Sequence, residues 1–133
     1  MITVSWETVR ISLHVLAATI WVGGQITLGA LVPALQSISP DAPRVAARRF
    51  NPVAWTGYAV LVATGAWNVA AEHDELHGDK LVVLWVKIAV VAASGIAAFL
   101  HIRATSAAGR AVWGAVTALT AVVALVLGVL LQG

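Results

Sequence analysis

Residues 81–102, LVVLWVKIAVVAASGIAAFLHI, form an apolar run in which Lys87, Ser94 and His101 are the strongly polar side chains. A helix of about 20 residues crosses a hydrocarbon layer roughly 30 Å thick, so this stretch reads as a membrane span. The three polar residues recur every seven positions, close to two helical turns, and therefore share one face. Val91 and Ala98 lie between them. Such a face is expected to point at other helices rather than at lipid. Outward from this block, comparable apolar stretches occupy residues 11–35, 50–71 and 111–131. The sequence thus predicts an all-α integral membrane protein, one four-helix transmembrane domain over residues 1–133. The first span should end near Pro33, and the second should begin at Asn51-Pro52.

Composition supports membrane location. Of 133 residues, 60% are hydrophobic and 11% charged, with a mean hydropathy of +0.91; soluble domains carry about 25% charged residues. Cysteine is absent, which excludes disulfides, thiolate metal sites and iron–sulfur clusters. Met1 is the only methionine, so thioether ligation of copper(I) inside the spans is excluded too. The net charge of +2 and pI near 9.7 do not point to nucleic acid, because the basic residues sit at helix ends, where membrane topology accounts for them. The first apolar block exceeds the roughly 7–15-residue core of a signal peptide and is expected to be retained.

Orientation follows from lysine and arginine. Arg44, Arg48 and Arg49 lie between the first two blocks, and Arg103 and Arg110 between the last two. The opposite side has Arg10 and Lys80. This excess predicts cytoplasmic first and third connections and extracytoplasmic termini, as for a multi-pass protein of a bacterial-type inner (plasma) membrane. Glu72, Asp74, Glu75 and Asp79 fall in the outer connection, and Trp6, Trp55, Trp85 and Trp113 near block ends, where indoles anchor. Short connections predict an antiparallel up-down bundle. Gly23, Gly24, Gly29, Gly57 and Gly65 would allow close helix approach, or serve packing alone.

Ionisable groups within spans are costly and mark candidate sites. His14 lies about one turn inside the outer end of the first span, on a stripe with Ala18, Trp21, Gln25 and Leu28. Lys87 lies about two turns inside the outer end of the third, and the two could meet in the outer half of the bundle. Each has a plainer reading: His14 bonding a backbone carbonyl, Lys87 reaching for the interface, His101 resting at the cytoplasmic boundary. In the outer connection, His73 and His77 among carboxylates would suit copper(II) or zinc, sharing a face only if the second helix extends that far. A solvated acidic loop explains them equally. No nucleophile elbow, phosphate loop or paired carboxylate occurs in the spans, so a hydrolase or nucleotide enzyme is not expected.

Leu13-His14 through Trp21-Val22-Gly23-Gly24 to Leu31-Val32-Pro33-Ala34-Leu35 resembles the first helix of the CopD-type copper-resistance membrane domain. Arg48-Arg49-Phe50 with Val62-Ala63-Thr64-Gly65 resembles that domain's basic turn and second helix. Gly78-Asp79-Lys80-Leu81 with Trp85-Val86-Lys87-Ile88 resembles its third-helix start. The resemblance covers about residues 10–103 and implies copper homeostasis, with His14, His73 and His77 as metal-binding candidates. The same pattern is also similar to HemJ, the four-helix haem-containing protoporphyrinogen oxidase family. That likeness implies haem b, with His14 as axial ligand and Lys87 as second ligand or propionate partner. Gln25-Ile26-Thr27-Leu28-Gly29 departs from HemJ, which favours the CopD-type side. A third expectation is a non-catalytic subunit, in a homo-oligomer or larger membrane complex, packing through Gly114, Ala118 and Gly128 of the fourth span.

Overall fold

The structure, a computed structural model, describes residues 2–132. It is all-helical, with no strand among those residues. In order come α1 (Trp6–Ala18), a π-turn (Thr19–Gly23), α2 (Gly24–Ile38), α3 (Ala42–Ala71), a 3-10 turn (His73–Glu75), α4 (Asp79–Arg103) and α5 (Ala107–Gln132). The chain divides into two compact units, Met1–His73 and Asp74–Gly133, which are taken in turn.

In the first unit, α1, the π-turn and α2 run on without interruption from Trp6 to Ile38. Ser5 caps the start: its Oγ accepts the Thr8 N–H at 3.2 Å, and Thr8 Oγ1 accepts the Ser5 N–H at 3.3 Å, satisfying two otherwise orphaned donors. The π-turn widens one helical turn, which frees carbonyls from their usual partners. Gln25 Nε2 donates to the Trp21 carbonyl at 2.8 Å, and Thr19 Oγ1 to that of Val15 at 2.8 Å. The expected stripe persists through this turn: Trp21 is buried, and His14, Ala18, Gln25 and Leu28 are half-buried, while Leu13, Val15, Leu16, Ile26 and Thr27 are exposed.

Two boundaries differ from expectation. The first helix does not end at Pro33 but continues to Ile38. The second does not begin at Asn51-Pro52. It starts at Ala42, with Pro43 in its first turn and Pro52 inside. A first-turn proline removes an N–H that had no partner anyway, whereas an internal one costs a single bond that packing in a helix pair tolerates. Arg44, Arg48 and Arg49 therefore stand on helix α3 and not in a loop.

From Arg10 to Trp21 the partners step back along α3 and its cap, from Glu72 to Thr64 to Tyr58 and Trp55, so the helices are antiparallel. Trp6 meets Trp67 (ring centroids 6.5 Å apart), Arg10 meets Glu72, His14 meets Thr64, and Trp21 meets Tyr58 (4.6 Å) and Trp55 (5.3 Å). Glycine permits this approach: a Cβ on Gly57 would lie 2.9 Å from Ile20 Cγ2, and one on Gly24 would collide with the Phe50 ring.

The second unit is the antiparallel pair α4–α5. Ser94, with no exposed surface, donates from Oγ to the Thr117 carbonyl at 3.1 Å. Against α5, Lys87 sits at Gly128 and His101 at Gly114. The seven-residue polar face of α4 is thus matched by seven-residue spacing of small residues on α5: Gly114, Ala121 and Gly128. Gly114 and Gly128 were expected on a lipid-facing surface. They face α4 instead, because the long side chains of His101 and Lys87 need the space a Cβ would fill.

Three stretches are long and apolar enough to cross a membrane: Trp6–Ile38, Asp79–Arg103 and Ala107–Gln132. At 30 residues α3 is long enough, but Trp55, Thr56, Tyr58, Thr64 and Asn68 dilute its hydropathy. Several of these contact α1.

Candidate functional site

His14 is half-buried on α1, and its Nδ1 lies 2.8 Å from Thr64 Oγ1. The Thr64 hydroxyl has one proton, directed along α3 to the Val60 carbonyl at 2.6 Å. Toward the imidazole it is therefore an acceptor, so Nδ1 carries the proton and Nε2 the lone pair, an assignment made from the bonding network. A ring nitrogen so anchored orients the opposite one as a metal or haem ligand. Gly65 adds room beside the ring: a Cβ there would stand 3.5 Å from His14 Cε1.

One turn outward, Arg10 is 4% exposed. Its Nη2 pairs with Glu72 Oε1 at 3.2 Å, and Nη1 donates to the Asn68 carbonyl at 3.4 Å. The buried Asn68 Oδ1 has no hydrogen-bond partner among the described residues. Inward of His14 lies the ring cluster of Trp21, Trp55 and Tyr58.

Lys87 belongs to the second unit, half-buried, with Nζ 3.1 Å from where a Gly128 Cβ would stand. His101 Nδ1 lies 2.8 Å from the Arg110 carbonyl. A carbonyl only accepts, so this nitrogen is the protonated one, and the ring ties the end of α4 to the start of α5. Arg103 rests over the Phe99 ring at 5.6 Å.

His73 and His77 do not share a helical face, because α3 stops at Ala71. His73 follows the helix end, with Nδ1 3.2 Å from the Ala70 carbonyl. His77 lies beyond the 3-10 turn, with Asp74, Glu75, Asp79 and Lys80 around an open depression of about 490 Å³. Gly78, at φ +58°, makes the reversal into α4, a conformation that side chains with a Cβ rarely adopt. No three histidine or acidic side chains gather as a metal-ligand set among the described residues.

Arg10, Asn68 and Tyr58 were not expected here. A signal was present: Arg10 and His14 are four apart, as are Thr64 and Asn68, which places each pair on one helical face.

Against known proteins, no family model, curated protein or solved structure matches the chain.

Proposed function

We propose that this chain is an integral membrane protein that holds a metal centre through His14, and that its role is CopD-like copper homeostasis on the extracytoplasmic side. The observation that carries the reading is the Nδ1–Thr64 bond, which presents Nε2 as a ligand in the outer half of a membrane helix pair. His73 and His77 are the further imidazoles available to a copper(II) ion.

Ligand number favours a second reading, a b-type haem protein with a redox role. His14 supplies one imidazole, and a haem could be held by that single side chain, supplying one-electron redox chemistry if bound. An optical spectrum of detergent-purified protein, expressed with haem available, decides between them. Bound haem is expected to give a Soret band and alpha and beta bands that sharpen with dithionite. A featureless visible spectrum excludes haem b, and copper(II) titration of wild type, His14→Ala, His73→Ala and His77→Ala should then show which of these imidazoles binds the ion. The subunit reading requires both titrations to be blank.

The proposed topology is four spans, with α3 as the second crossing and both termini outside. The lysine and arginine count supports this orientation: Arg44, Arg48, Arg49, Arg103 and Arg110 on one side against Arg10 and Lys80 on the other. The cysteine-free chain makes the test direct. In intact cells, Glu75→Cys should react with an impermeant maleimide, and Thr105→Cys only after lysis. The reverse pattern inverts the topology.

A further inference from the structure

We propose that Arg10 and Glu72 are positioning residues for His14: their ion pair locks α1 against α3 and thereby holds the imidazole in its Nδ1–H tautomer. The importance of that tautomer rests on the reading of His14 as a ligand; the lock itself does not.

The two helices carry matched ladders. On α1, Arg10 stands one turn outward of His14. On α3, Thr64 and Asn68 stand four apart, and Glu72 caps the helix end. Arg10 meets the outer two rungs and His14 the inner one. The guanidinium is a planar fork with fixed donor directions, and here it bridges a backbone carbonyl in the last turn of α3 and the carboxylate of the residue that caps that helix. It therefore resists sliding of α1 along α3 and rotation of either. A slide of one residue is about 1.5 Å, enough to spoil a 2.8 Å bond between His14 and Thr64.

Arg10 also completes the end of α3. The Asn68 carbonyl accepts the Glu72 N–H at 3.0 Å as well as Arg10 Nη1. The last turn of α3 has no basic residue of its own, so α1 supplies the cation that a helix C-terminus favours. At 4% exposure, this guanidinium is not a solvated topology charge. Its position is fixed by bonds to α3.

The test is ¹⁵N-imidazole NMR of ligand-free protein in nanodiscs, with His14 assigned by its loss in His14→Gln. Wild type should show one tautomer, protonated at Nδ1. Thr64→Val and Arg10→Gln should each convert it to a mixture, and Arg10→Lys should keep a larger Nδ1–H share than Arg10→Gln. Glu72→Gln, which keeps the side-chain shape, gives the same reading if Arg10→Gln does not fold. For a bound metal centre, Arg10→Gln should weaken affinity about 10–100-fold, as loss of an orienting partner does. An Nε2–H tautomer in wild type, or unchanged His14 signals in a folded Arg10→Gln and Glu72→Gln, overturns the proposal. Absence of haem or copper binding by wild type would defeat the metal-centre reading and leave the NMR result standing.

Discussion

Under the proposed reading, His14→Ala is expected to abolish binding of haem or copper while leaving the helix pair folded. The imidazole is the group placed to offer a lone pair at this level of α1, and alanine has none. Its packing loss is small because the ring is half-buried beside Gly65. Thr64→Val separates ligation from orientation. It keeps shape and helix but removes the acceptor on Nδ1–H, and loss of such an orienting partner costs about 10–100-fold in affinity. Difference spectra and copper titration of the two variants check this. Wild-type binding in His14→Ala would rule out the site.

Gly57→Val is expected to destabilise the first unit by about 1–3 kcal/mol, the usual cost of overpacking a close contact. Its Cβ would lie 2.9 Å from Ile20 Cγ2, 3.2 Å from Ile20 Cβ and 3.7 Å from the Ala17 carbonyl. Ile20 is β-branched and sits in the π-turn, so it has little freedom to yield. Gly29→Ala is the control. Nothing lies within 4 Å of its added carbon, and alanine should be neutral or slightly stabilising in mid-helix. Thermal unfolding in detergent, followed by circular dichroism, should show a clear fall for Gly57→Val and none for Gly29→Ala. Equal transitions would mean that α1 and α3 do not approach as described.

Much of this architecture could be read directly. Helices α4 and α5 fall within a few residues of the expected spans, because each is a long apolar block: that of α4 lies between Lys80 and Arg103 with Lys87 as its one charge, and that of α5 follows Arg110 with no charge after it. The face shared by Lys87, Ser94 and His101 was legible because helical period alone places them together. What lay opposite was not. Glycine reads alike as a lipid-facing seam or as room for a neighbour's side chain, and only the pairing of Gly114 with His101 and of Gly128 with Lys87 decides it. The early start of α3 was hidden because Arg44, Arg48 and Arg49 lower hydropathy without opposing helix formation. The π-turn has no composition of its own.

At the candidate site, His14 was visible as a polar residue in an apolar span, but its setting was not. Arg10 counted as an interfacial charge until Glu72, 62 positions away, proved to be its partner. No local pattern carries that information. Thr64 looked like an ordinary small polar residue, and its importance comes from which helix face meets α1.

The uninterrupted helix from Trp6 to Ile38 has 33 residues, about 50 Å at 1.5 Å per residue. A bilayer's hydrocarbon layer is roughly 30 Å thick. An upright rod of this length overshoots by about 20 Å, so it must lean, thicken the lipid around it, or extend past the headgroups. Its antiparallel neighbour, with 30 residues, is almost as long and carries Arg44, Arg48 and Arg49 beside the turn that joins them. Where that turn clears the hydrocarbon, three guanidinium groups come level with anionic phosphates, each attraction worth about 1 kcal/mol. The depth at which the pair rests, and hence how far His14 lies from water, is then set partly by lipid composition.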